Sequence, residues 1–159
     1  MALTLSTALT QKLLDNAAGQ GFSEIFNLGV IHLYGSPRPG SADDAETGVL
    51  LAVITDASLA YTPTDGTNGL TFEAAVANAV SKTAAQVWSG VGVAAGTAVW
   101  GRLYALDASG TITGASTTKP RMDFSVGTFS GDMIMGNASI AVGATTTLDT
   151  FTLGLPNGE

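Results

Sequence analysis

The sequence predicts a mainly β protein: an antiparallel β-sandwich, jelly-roll-like, with one short N-terminal helix. Three observations carry that expectation. The apolar period changes from 3.6 to 2 near Gly21. From residue 29 onward, short alternating Thr-rich runs are divided by glycines, of which the chain has 20. About nine such runs recur at roughly 10–15-residue spacing with turn residues between them, the pattern of a sandwich or jelly roll.

A length of 159 residues fits one domain with a core of its own. No composition break marks a second one. The expected division is a helical segment over 1–20 and a single β-sandwich domain over 21–159.

The first element is a helix over Ser6–Ala18. Leu9, Leu13 and Ala17 recur at i, i+4 and i+8, with Leu5 on the same stripe. Thr4 or Ser6 can cap its start, and Gly19 and Gly21 can stop it. A helix this short is marginal alone, so the stripe must dock. Its own sheet is the first expectation and a neighbouring subunit the alternative.

Val30–Tyr34 reads as a strand, followed by a loop at Gly35–Gly40, where two prolines interrupt any ladder. Val49–Thr55 is almost wholly apolar, as in a strand covered on both faces. Thr62–Asn68 is a polar loop and Leu70–Glu73 a short strand. Ala74–Val80 reads as loop or a single turn. Gln86–Ser89 and Thr97–Ala105 are strands joined by a flexible glycine-rich connector, and Asp107–Gly114 is a hairpin connection. Arg121–Val126, Met133–Met135, Ser139–Val142 and Thr146–Leu153 complete the set. At least half of residues 29–155 should be extended. The expected core is Ile31, Leu33, Leu51, Val53, Trp100, Tyr104, Phe124, Leu148 and Leu153.

Composition restricts function. Charged residues are 12% of the chain, against roughly 25% in an ordinary soluble domain. The net charge of -7 disfavours nucleic acid and anionic membranes as partners. The chain has no Cys and one His, so neither a disulfide framework nor a zinc site is expected. No targeting segment or apolar run of membrane-spanning length is evident. A mean hydropathy of +0.32 with so few charges implies that low-charge surface is buried against other chains.

Candidate chemistry is sparse. His32, on the strand face of Val30 and Tyr34, reads as a structural or interface residue. Asp43, Asp44 and Glu46 form the densest acidic run, which lacks calcium-loop spacing and reads as a solvated turn, with a shared divalent site as the minor alternative. Glu73, Asp123, Asp132 and Asp149 are too scattered to pair as acid and base. Trp100, Arg102 and Tyr104 share one strand face, as a sugar-stacking surface if exposed or as core if buried. No catalytic residue, cofactor or metal is expected.

The runs Gly29–Pro39 and Ser41–Thr55 resemble a group of small proteins encoded among the virion genes of tailed bacteriophages. The opening Met1–Leu9 and the late Val142–Asp149 are similar to that group as well, so the likeness spans most of the chain. The resemblance implies a virion structural protein, first of all a capsid decoration (cement) protein made in the host cytoplasm. Such proteins are often trimeric β-folds on the capsid surface, which implies the major capsid protein and further copies of the chain as partners. The contacts are expected from Leu5, Leu9 and Leu13 on the helix and from Pro37, Arg38, Pro39, Asp43, Asp44 and Glu46 in the following loop. Two other readings stand beside it. One is a tail or fibre-associated module that binds a host glycan through Trp88 or Trp100. The other is a cell-wall hydrolase with a carboxyl pair in a cleft.

Overall fold

The computed structural model describes residues 3–15 and 21–154. In chain order the elements are β1 (Thr4–Leu5), α1 (Thr7–Leu14), α2 (Phe22–Ile25), β2 (Val30–Tyr34), β3 (Leu50–Asp56), β4 (Ala79–Ser81) and β5 (Trp88–Val91). They continue with β6 (Gly96–Thr97), β7 (Trp100–Tyr104), β8 (Arg121–Gly127), β9 (Met133–Ile134), β10 (Ser139–Ile140), β11 (Thr145–Thr147) and β12 (Thr152–Gly154). The protein is mainly β, with 36% strand and 8% helix. The main sheet runs β1-β8-β7-β2-β3-β5-β11, and β9 lies parallel on β8. Two-stranded ribbons, β10 with β6 and β12 with β4, flank it, and both are antiparallel.

Alternation along the central strands separates two faces. On one, Ile31 and Leu33 of β2 meet Leu103 of β7 and Ala52 and Ile54 of β3. Met122 and Phe124 of β8 extend that face. It carries the main apolar core, completed by Leu9, Phe26, Leu51, Trp88, Leu148 and Phe151. A Cβ at Gly101 would overlap the Phe124 ring, so this position stays vacant to admit the ring. Seven of the nine expected core residues are fully buried. Val53 and Leu153 are only partly buried and pack at the margins of the core.

Helix α1 docks on its own sheet. Ser6 caps it by accepting the Leu9 amide at 3.2 Å. The same hydroxyl accepts the Arg121 amide at 2.9 Å and donates to the Lys119 carbonyl at 3.2 Å. One side chain therefore both starts the helix and fixes it to β8. The helix is shorter than expected, and the Ala17 end of the stripe and the Gly19 stop lie outside the described residues.

Several local expectations differ from the structure. Strand content over residues 29–155 falls short of half, and two expected strands are broken. Within Thr97–Ala105, the Ala98 amide turns to the Ala138 carbonyl, which separates β6 from β7. Within Thr146–Leu153, Leu148 and Phe151 turn into the core between β11 and β12. Leu70–Glu73 is not a strand; it makes single bridges at Leu70 and Phe72. Ala77 and Asn78 adopt φ of 49° and 61° and close a tight hairpin that leads into β4. The glycine connector is partly strand, with Gly90 inside β5 against the Val53 backbone. The α2 turn was not expected; there the Glu24 carboxylate accepts the Gly21 amide at 3.0 Å.

Candidate functional site

The second face of the sheet is polar and aromatic, yet it is buried. Cross-strand register builds three rows: Val30–Tyr104–Arg121, His32–Arg102–Asp123 and Tyr34–Trp100–Ser125. The loops 35–49 and 105–120 reach over this face. They cover it because its side chains offer donors and acceptors that the loop backbone can satisfy.

Arg102 is the hub and is wholly closed to solvent. Its Nε donates to Asp123 Oδ1 at 2.5 Å and its Nη2 to Asp123 Oδ2 at 2.8 Å. Nη1 reaches the Asp44 carbonyl at 2.8 Å and Glu46 Oε1 at 3.1 Å, and Nη2 also meets the Ser41 carbonyl at 3.4 Å. All five guanidinium donors are thereby used. Burial alone would lower the Arg102 pKa, but the Asp123 and Glu46 carboxylates outweigh it and hold the group above its ordinary value. The guanidinium also lies 5.6 Å from the Trp100 ring centre and 6.0 Å from that of Tyr104.

A chain of hydroxyls leads away from Glu46. Tyr104 Oη donates to Glu46 Oε1 at 2.6 Å. Tyr34 Oη lies 3.2 Å from Tyr104 Oη, and His32 Nδ1 lies 3.2 Å from Tyr34 Oη. Because Tyr104 gives its proton to the carboxylate, every link is satisfied when Tyr34 donates to Tyr104 and His32 Nδ1–H donates to Tyr34. That direction selects the Nδ1–H tautomer of a neutral imidazole. Burial pushes the His32 pKa down to about 4, with Arg102 adding to the effect and Glu46 opposing it. Burial likewise raises the Tyr34 phenol to about 12 and holds the Tyr104 phenol far above its ordinary value. Burial would raise Glu46, but hydrogen bonds from Tyr104 and the Gly114 amide, together with Arg102, leave it below its ordinary value. The layer is therefore a fixed network of neutral phenols, a neutral imidazole and paired charges.

This corrects the reading of residues 43–46 as a solvated turn. Glu46 is drawn inward by Arg102, Tyr104 and the Gly114 amide, the last at 2.9 Å. Asp43 accepts the Thr7 amide at 3.0 Å and the Thr7 hydroxyl at 2.5 Å, binding the loop to the first turn of α1. Asp44 accepts the Ser41 amide at 3.0 Å and remains exposed. Nothing in the sequence near residue 46 signals its partners, which lie 56 to 68 positions away.

The expected contact residues divide in the same way. Leu9 is fully buried in the chain's own core and cannot meet another subunit, because the helix turns that position onto the sheet. Leu5 and Leu13 are exposed, as is Leu14, which the stripe did not include. Pro37 is exposed and Pro39 half-buried. Arg38 donates through Nη2 to Thr4 Oγ1 at 2.7 Å and to the Asp123 carbonyl at 3.1 Å, so it serves the fold.

The other candidates do not assemble into a site. Asp123 belongs to Arg102, while Asp132 accepts the Ser125 amide and hydroxyl, both at 2.8 Å. Glu73 accepts the Ala84 amide at 3.2 Å. Among the described residues, no three His, Asp or Glu side chains come together to hold a metal ion. Trp88, Trp100 and Tyr104 are buried, which removes the exposed aromatic platform that a sugar would need. Trp100 instead donates through Nε1 to the Gly35 carbonyl at 2.9 Å and stacks on Tyr34. No helix among the described residues is long and apolar enough to cross a membrane. Compared with known proteins, the chain matches no family model, no curated protein and no solved structure.

Proposed function

We propose that this chain is a structural protein of a tailed-phage virion, a capsid decoration protein that binds the outer surface of the head and stabilises it as a symmetric oligomer, first of all a homotrimer. The carrying observation is the distribution of its few charges. Two of six Lys/Arg residues, Arg102 and Arg121, are fully buried, as is Asp123. The surface is thus poorer in cations than the composition alone implies. Large apolar side chains stand outside: Leu14 is 83% exposed and Phe129 98%, with Val76 and Val142 also in solvent. Low-charge surface with exposed apolar groups is characteristic of a face that meets other chains, and closed symmetry is the usual way to cover it.

The proposed partners are the major capsid protein and copies of this chain. The phage assignment rests on the resemblance of residues 29–55 and of both ends of the chain to virion proteins. The buried polar layer supports a structural role, since Arg102, Asp123, Glu46, Tyr104, Tyr34 and His32 are already bonded to one another. A glycan-binding role loses the tryptophans it depended on. Mixing purified chain with undecorated phage heads at low and high salt tests the proposal. Stoichiometric binding that persists at high salt is expected, because few surface charges are available to be screened. Failure to bind heads under either condition would overturn it.

A further inference from the structure

The two buried guanidinium groups are compensated unequally. Arg102 has two carboxylates. Arg121 donates only to backbone carbonyls, through Nη1 to Gly114 at 2.5 Å and through Nη2 to Ile112 at 2.8 Å. Its Nε has no hydrogen-bond partner among the described residues. Burial, and then the neighbouring Arg102, hold its pKa below the ordinary value. Glu46 and Asp123 oppose that shift from a distance and the Tyr104 ring centre lies 5.6 Å from the guanidinium, but no carboxylate hydrogen-bonds to it, which leaves a buried cation only partly compensated.

Arg121 borders a cavity of about 360 Å³. Lys12, from the last turn of α1, and Lys119 line the same cavity. Half of the chain's six Lys/Arg residues therefore converge on one space, in a molecule whose net charge is -7. The one carboxylate there, Asp107, is occupied by Lys119 at 2.6 Å. Lys119 also reaches the Thr111 carbonyl, which holds it in place. Ser109 and Thr118 add hydroxyl donors to the lining.

We propose that this cavity binds a small oxyanion. Its oxygens would meet the Lys12 ammonium at the mouth, with the Ser109 and Thr118 hydroxyls as neutral donors, while Lys119, whose three donors already serve Asp107, Thr111 and Ser109, adds charge alone. Arg121, closed to solvent, contributes its charge from beneath. Charge-assisted hydrogen bonds to such donors are the strong kind, and the walls that bury Arg121 weaken the screening of its field. An inorganic phosphate and a glutamate carboxylate of a partner chain share this chemistry. The site does not depend on the proposed capsid role.

Isothermal titration of the full chain, at ionic strength matched with sodium chloride, tests the site with two probes: inorganic phosphate and N-acetylglutamate amide. Saturable one-to-one binding of either is expected. Preference for the first identifies a free tetrahedral anion, and preference for the second a protein carboxylate. Lys12→Glu, at an exposed position, should weaken that binding at least tenfold. Lys82→Gln, outside the cavity, should leave it unchanged. Where Arg121→Gln folds, it should weaken binding as well. No saturable binding beyond the effect of chloride, or equal affinity in Lys12→Glu and the parent chain, would overturn the proposal.

Discussion

Arg102 and Asp123 face each other across β7 and β8 and join through two hydrogen bonds, 2.5 Å from Nε and 2.8 Å from Nη2, with neither side chain open to solvent. Arg102 reaches Glu46 and the loop backbone from the same guanidinium, so one ion pair fixes both a strand register and the loop above it. Its contribution lies less in net attraction than in the penalty for breaking it.

Removing one partner should therefore be severe. Asp123→Ala should destabilise the chain by about 3–5 kcal/mol, because Arg102 is left buried with three of its five hydrogen bonds. Arg102→Met with Asp123→Leu should recover much of that loss. Urea unfolding of the three variants reads the effect; a loss below about 1 kcal/mol for Asp123→Ala would show that water or another group replaces the carboxylate.

The neutral state of His32 implies a pH dependence. Its folded pKa of about 4 lies below the ordinary 6.5. As pH falls from 6.5 toward 4, the unfolded chain takes up a proton that the folded chain refuses, so stability falls across that window and levels off below it. The full shift corresponds to roughly 3 kcal/mol. His32→Gln, which keeps a donor for Tyr34, should flatten the slope of unfolding free energy between pH 4 and 6.5. An unchanged slope would mean that carboxylates alone produce it.

The apolar face should respond as a packed core. Leu51 is fully buried, and Leu51→Ala should cost about 2–5 kcal/mol. Gly101→Ala should cost about 1–3 kcal/mol through overlap with the Phe124 ring. Thermal unfolding of both variants checks the assignment. Losses under about 0.5 kcal/mol would place these positions outside the core.

The exposed end of α1 should govern association rather than folding. Leu13 and Leu14 face solvent. Leu13→Lys with Leu14→Lys should leave the unfolding midpoint within a few degrees and shift sedimentation from oligomer toward monomer. A parent chain that sediments as a monomer at micromolar concentration would remove the oligomer from the proposed function.

Phe22, Phe72, Trp88 and Phe151 show how far local pattern reaches. They form an aromatic group, edge-to-face around Phe72 and tilted between Trp88 and Phe151, linking α2, the bridged segment near residue 72, β5 and the turn before β12. Each is recognisable in the sequence as an apolar residue, but only Trp88 stands in an expected strand that persists. The contacts among the rest come from chain reversals that apolar pattern does not encode.

Local pattern alone determined the mainly β class, the N-terminal helix, the expected strands Val30–Tyr34, Val49–Thr55 and Arg121–Val126 to within one residue at each end, and the shared face of Trp100, Arg102 and Tyr104. Those properties depend on neighbours within one strand or turn, where side-chain direction follows directly from backbone repeat. Tertiary structure decided that this face is covered rather than wet, that Glu46 turns inward, that Leu9 belongs to the core, and that Lys12, Lys119 and Arg121 border one cavity. Each of these requires segments distant in sequence to meet. Burial and charge compensation are properties of that meeting, so no residue carries them by itself.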